Sequence, residues 1–181
     1  MNGRRVAFAS AALLCAALAA CGPKQGEGSP VGVSTGSPLP SPLLSDKATT
    51  YVFDPLDDRA PVSSSAHRGK PTVIAFVTTG STEAQAQVDF LIAMAKNDGE
   101  KTNYAVVALH PRRDIPLVET YRKVLGAEFP FALGDAATTA PGGPFGDIPA
   151  VPTLVVLDRD GRLVWKKTGL AKADEIRAHM K

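Results

Sequence analysis

Ile148-Pro149-Ala150-Val151-Pro152-Thr153-Leu154-Val155-Val156-Leu157-Asp158-Arg159-Asp160-Gly161-Arg162-Leu163-Val164 is the stretch that decides the architecture of this chain. Thr153 to Leu157 and Leu163 to Trp165 are apolar, and Asp158-Arg159-Asp160-Gly161 between them is a turn signal, so the segment predicts a hairpin. Upstream, Thr72-Val73-Ile74-Ala75-Phe76-Val77 and Tyr104-Ala105-Val106-Val107-Ala108-Leu109 are unbroken apolar runs, the pattern of strands covered on both faces. Between those runs Ala84, Val88, Leu91, Ile92 and Ala95 recur at helical spacing, and Asn97-Asp98-Gly99 supplies a stop, which makes a βαβ unit. A second helix starts at Asp114 as its cap, carries Pro116 in its first turn and ends at Gly126 after Leu117, Val118, Tyr121, Val124 and Leu125. A last helix sets Leu170, Ala173, Ile176 and Met180 on one side. βαβα followed by a hairpin and a terminal helix predicts an α/β sandwich around a mixed sheet.

Working outward, the chain has 181 residues, 44% of them hydrophobic, enough for one domain and an extension. Residues 1–20 read as an export signal, with Arg4 and Arg5 ahead of an apolar run from Val6 to Ala20 that is shorter than an ordinary spanning helix. From Gly22 to Ser45 the chain is mostly Gly, Pro and Ser, a tether with little to bury. The reading is thus a signal over 1–20, a modified Cys21 with its tether over 21–50, and a folded domain over 51–181. Removing residues 1–20 takes Arg4 and Arg5 from the 20 bases and leaves 18 against 18 acids, so the apparent basicity belongs to the signal. No basic stripe calls for a nucleic acid. Two cysteines, Cys15 and Cys21, are too few for a disulfide scaffold or a zinc site.

Several of these segments resemble known families. Leu18-Ala19-Ala20-Cys21-Gly22 resembles the lipobox of bacterial lipoproteins, which implies diacylglycerol on the Cys21 sulfur, cleavage before it and a membrane held through the lipid; an ordinary secretory peptide cut after Ala-x-Ala is the other reading, and Arg4-Arg5 also allows twin-arginine export. Gly22 stands where Gram-negative lipoproteins retained in the inner membrane carry Asp, so the resemblance implies the outer membrane of a Gram-negative envelope. His67-Arg68-Gly69-Lys70-Pro71-Thr72-Val73-Ile74-Ala75-Phe76 and the Ile148 to Val164 segment are similar to the "RGKPVVLNF" and "V-P-T-x-x-x-x-D-R-x-G-R-x-V" stretches of the TlpA/ResA and redoxin group of membrane-anchored thioredoxin-like proteins. Leu109-His110-Pro111-Arg112-Arg113-Asp114-Ile115-Pro116, with Tyr121, is similar to a stretch of the SCO-type copper chaperones. These resemblances imply a thioredoxin-like three-layer sandwich, a mixed sheet flanked by helices, with a cis proline at Pro152, and thiol–disulfide oxidoreductase as the family's usual activity.

The family's chemistry depends on Cys-x-x-Cys at the start of the first helix, where the helix N-terminus lowers a thiol pKa from about 8.5 to as low as about 3.5. Counting on from Phe76, those positions hold Ser81-Thr82-Glu83-Ala84, and the position of thioredoxin's buried Asp holds Ala75. A serine hydroxyl there stays protonated and forms no disulfide. Ser81 reads better as an N-cap, with Glu83 complementing the helix dipole, than as a nucleophile, since no Gly-x-Ser-x-Gly surrounds it. After processing the chain has no free thiol, so neither redox nor peroxidatic chemistry is expected. Copper binding in the SCO manner lacks both thiolates, and His110 reads as a lone surface histidine before Pro111. Asp158-Arg159-Asp160-Gly161 holds only a fragment of a calcium loop and reads as a turn, and Trp165 and Tyr121 read as core or groove-wall aromatics. No metal or cofactor is expected. What the resemblance leaves is the peptide-docking edge at Val151, Pro152 and Thr153, where an extended partner adds as a strand. Pro141-Gly142-Gly143-Pro144-Phe145-Gly146 is either a wall of that groove or an ordinary long connection. The sequence therefore predicts a binding module without catalytic residues and with an envelope protein or peptide as partner. The alternatives are an active thiol–disulfide oxidoreductase and a purely structural tethered domain.

Overall fold

Seven strands form one mixed sheet in a computed structural model that describes residues 46–56 and 61–180. In chain order the elements are β1 (Val52–Pro55), β2 (Val62–Ser63), β3 (Thr72–Val77), α1 (Thr82–Asp98), β4 (Asn103–Leu109), α2 (Ile115–Leu125), β5 (Phe131–Gly134), α3 (Ala136–Thr139), β6 (Thr153–Leu157), β7 (Leu163–Thr168) and α4 (Ala173–Ala178). The sheet order is β2-β1-β5-β4-β3-β6-β7. The expected export signal over 1–20, the expected lipidation at Cys21 and the expected tether as far as residue 45 lie outside the described residues.

β3 is the axis of the molecule. All six of its residues are buried, parallel to β4 on one side and antiparallel to β6 on the other. Because side chains alternate across a strand, Val73, Ala75 and Val77 enter one apolar cluster while Ile74 and Phe76 enter another. The first cluster is closed by Val88 and Leu91 of α1, Val118 of α2 and Ile176 of α4. The second is aromatic: Phe76 meets Phe145 at 5.5 Å between ring centroids, and Tyr51 and Phe53 pack against the same ring at 5.2 and 6.2 Å. Phe145, 2% exposed, shows that the Gly/Pro segment 141–146 is more than a connection, since it plugs this face of the sheet. Gly143 permits the plug, because a Cβ there would lie 2.7 Å from the Ala137 carbonyl and 2.8 Å from that of Thr138.

The expected mixed sheet flanked by helices is present, and several local expectations need correction. Asp114 precedes α2 but makes no side-chain cap bond; the helix is entered through a 3-10 turn at Arg112–Asp114, with Pro116 in the first turn, and its stop at Gly126 is left-handed (φ 67°). Leu170, expected on the buried side of the last helix, precedes that helix and is 40% exposed. Burial there falls to Ile176 and Ala171, and the Ala171 backbone is clamped from α1 by Gln87, whose Oε1 accepts from the Ala171 N–H at 2.7 Å and whose Nε2 donates to the Ala171 carbonyl at 3.3 Å. The turn at 158–161 forms as expected: Asp158 Oδ1 accepts from the backbone N–H of Asp160 and Arg162, at 2.9 and 2.8 Å, so this carboxylate serves the turn. Trp165 stacks on His179 at 5.0 Å, and Tyr121 packs on Phe131 with its hydroxyl buried and, among the described residues, without a hydrogen-bond partner.

The chain reaches this domain at the pole of the β6–β7 hairpin. Ala48 pairs with Arg162 and the Thr49 N–H donates to the Gly161 carbonyl at 2.8 Å, so these two residues at the end of the tether segment are bonded to the domain. At the same pole His67 Nδ1 is 2.8 Å from the Tyr51 hydroxyl, and burial holds this imidazole below the ordinary histidine range. A base whose folded-state pKa is lowered contributes full stability above its unfolded pKa and loses it as pH falls below that value. Urea unfolding of the protein is therefore expected to show stability declining as pH drops below about 6.5, and His67→Asn is expected to remove that share of the decline; an unchanged profile in the variant would contradict it.

Candidate functional site

The C-terminal end of β3 gathers three segments. The first is the loop Thr78-Thr79-Gly80-Ser81 that enters α1. Ser81 has extended backbone (φ −102°, ψ 120°) and its Oγ accepts from the Ala84 N–H at 3.1 Å, which makes it the helix N-cap, with Glu83 in the first turn. Thr82 and Glu83 are exposed, whereas Ala84 is buried in the core. The Ser81 hydroxyl is thus engaged with its own helix. The described residues contain no cysteine, and among them no cluster of His, Cys, Asp and Glu is placed to hold a metal ion.

The second segment is Ala150-Val151-Pro152-Thr153, in which the Val151–Pro152 peptide bond is cis. Pro152 and Thr153 are buried, and only Val151 of the three expected binding residues is partly open to solvent. Both neighbours of Val151 are held from within. Thr153 Oγ1 donates to the Ala150 carbonyl at 2.7 Å and lies 3.1 Å from Thr168 Oγ1, while the Pro152 carbonyl accepts from the Gly169 N–H at 2.7 Å. Among the described residues the Val151 N–H and C=O carry no hydrogen bond. Val151 is one of the residues that line a cleft of about 760 Å³, together with Leu109, His110, Asp135 and Ile148. Asp135 caps α3, and the backbone N–H and hydroxyl of Thr138 hold its exposed carboxyl below the usual carboxylate range.

The third segment is the end of β4, and here the sequence reading of His110 is corrected. His110 is no lone surface histidine: its side chain is 14% exposed, its Nε2 accepts from the Thr79 N–H at 3.0 Å and lies 3.3 Å from Thr79 Oγ1, and its Nδ1 is 3.4 Å from Asp114 Oδ2. Topology explains the pairing. The parallel register Val77↔Ala108, carried two residues on, sets Thr79 level with His110. Asp114, expected only as a helix cap, instead faces the imidazole. The pair depends on strand register, which the sequence does not give, and composition and motif give no hint of it.

Comparison with known proteins adds the fold alone. No family model and no curated protein matches the chain. Solved structures do. The chain is similar to a thiol:disulfide interchange protein of the thioredoxin family from Chlorobium tepidum (18% identity, 75% of this chain and 96% of the other, TM-score 0.63). It is also similar to a DsbF homologue from Corynebacterium diphtheriae (18%, 83% and 94%, TM-score 0.61) and to a secreted Mycobacterium tuberculosis disulfide oxidoreductase homologous to E. coli DsbE (18%, 75% and 98%, TM-score 0.57). The fold is thioredoxin-like, with α1 as the helix that follows the first central strand. No described helix is long and apolar enough to cross a membrane.

If Ser81 and Ala84 stand at the two cysteine positions of that fold, Ser81→Cys combined with Ala84→Cys is expected to form a disulfide that dithiothreitol reduces, read by thiol titration before and after reduction. A folded double variant that stays in the dithiol form under oxidant would show that the register is wrong.

Proposed function

We infer that this protein is a cell-envelope lipoprotein whose thioredoxin-like domain has no dithiol chemistry and captures an extended protein or peptide segment by strand addition at Val151. The observation that carries the reading is the Val151 N–H and C=O, unpaired among the described residues, between Ala150 and Pro152 carbonyls that are both bonded, in a residue that lines the cleft. Strand addition takes its affinity from such backbone groups and its specificity from the pockets beside them. Ser81 supports the same reading, since its hydroxyl caps α1 and a hydroxyl has no route to a disulfide. The lipobox-like Leu18-Ala19-Ala20-Cys21 and the Gly/Pro/Ser-rich segment behind it support a lipid-anchored, tethered display, and outer-membrane placement follows if the source is Gram-negative.

A second reading, thiol–disulfide oxidoreductase, is favoured by what the similar structures are called. It needs at least one thiol after processing, and both cysteines of the chain lie at or before residue 21. Two measurements separate the readings. Cross-linking in intact cells is expected to recover a reproducible partner with the wild-type protein and at least about tenfold less with Val151→Pro, which removes the N–H donor; circular dichroism confirms that the variant is folded. Failure to recover any partner would favour a purely structural domain and overturn the binding reading. In the second measurement the protein is expected not to accelerate insulin reduction by dithiothreitol, and catalytic turnover would overturn the non-redox reading.

A further inference from the structure

We propose that His110 is a positioning residue that pins the loop before α1 as a neutral imidazole, so that acidification frees this loop next to Val151 and makes capture there pH-dependent. The consequence for capture rests on the strand-addition reading; the loop switch rests on geometry alone. The Thr79 N–H can donate only to a ring nitrogen with a free lone pair, so Nε2 is unprotonated and the single ring proton sits on Nδ1, toward Asp114. A second proton at Nε2 turns that acceptor into a donor facing the Thr79 N–H. The resulting cation keeps a counter-charge in Asp114, 3.4 Å from Nδ1, so the imidazolium stays, the Thr79 N–H loses its acceptor, and the new Nε2–H is left to Thr79 Oγ1, 3.3 Å away, for which the loop must readjust.

The loop is short of other restraints. Thr79 and Ser81 are separated only by Gly80, which has no side chain to pack, and Ser81 caps α1, so displacement of Thr79 reaches the helix start within two residues. It also reaches the docking edge. The antiparallel register Phe76↔Thr153, carried two residues on, sets Thr78 level with Val151. His110 lines the same cleft as Val151.

The charged groups around the imidazole come from each neighbouring element. On its own segment are Asp114, which Arg113 Nε approaches at 3.8 Å, and Arg112, whose guanidinium pairs with Asp54 of β1. Asp135, between β5 and α3, lines the cleft with His110, and Glu83 lies in the first turn of α1, the helix this loop enters. The other two described histidines are engaged elsewhere, His67 with Tyr51 and His179 with Trp165, so a local readout is needed to isolate His110.

The test is nuclear magnetic resonance on the ¹⁵N-labelled full chain in detergent micelles, between about pH 8 and about pH 5. At the upper limit the imidazole nitrogens of His110 are expected to show protonation at Nδ1 only, with the Thr79 amide hydrogen-bonded. As pH falls, the Thr79 amide shift is expected to follow His110 protonation, and its exchange, corrected for the intrinsic pH effect, to rise at least about tenfold. His110→Gln offers Oε1 as an acceptor that does not titrate, and is expected to keep the Thr79 bond while abolishing its pH response. Protonation of Nε2 at the upper limit, a Thr79 amide indifferent to His110 titration, or an unaltered response in His110→Gln would overturn the switch. Cross-linking at both pH values distinguishes the two layers of the claim. Capture that weakens in acid for wild type and not for His110→Gln supports regulation. Equal capture at both values overturns the regulation, and absence of capture at every pH overturns strand addition, leaving the loop switch to be decided by the Thr79 data.

Discussion

Burial of β3 on both faces is the constraint from which the rest of this structure follows. A strand with water on neither side must satisfy its backbone through neighbours, and it does so with a parallel partner, β4, and an antiparallel one, β6. Those two registers decide what meets at its C-terminal end. The parallel one brings the residues after β4 level with the loop after β3, and the antiparallel one brings the residues before β6 alongside. His110, Thr79 and Val151 are neighbours for that reason, though they are far apart in the chain.

At the start of α1 the side chains are committed to architecture. Ser81 closes the first turn of α1, and Ala84 fills the core beneath it. What stays open is backbone, at Val151, beside a cleft whose lining is partly apolar, through Leu109 and Ile148, and partly charged, through Asp135. A surface of this kind can recognise an extended chain without changing it chemically. Recognition of that sort also suits a domain entered from the opposite pole, where Ala48 and Thr49 are bonded to the β6–β7 hairpin.

Much of this was legible in the sequence, and the omissions share a cause. Long apolar runs identified β3 and β4, helical spacing with Ser81 and Asn97-Asp98-Gly99 bracketed α1, and the Asp158 to Gly161 turn identified the final hairpin. β1, β2, β5 and α3 have two to four residues each, too few for a period to show. Phe145 was hidden in a Gly/Pro-rich segment that reads as a connection, although it plugs the sheet. His110 and Asp114 were misjudged because their partners are set by register across the sheet, and a sequence gives residue types but not the pairing of strands. Of the three residues expected at a docking edge, Pro152 and Thr153 are buried in the structure and Val151 alone is partly open to solvent, a difference that the residue types do not announce.

Residue-resolved amide exchange reads whether Val151 offers an unsatisfied backbone pair to a partner strand. In the free protein the Val151 amide is expected to exchange rapidly while the β6 amides beyond it are protected. With the cross-linked partner in place, protection is expected to appear at Val151. A Val151 amide already protected in the free protein, or one that still exchanges freely when a partner is bound, would contradict the account.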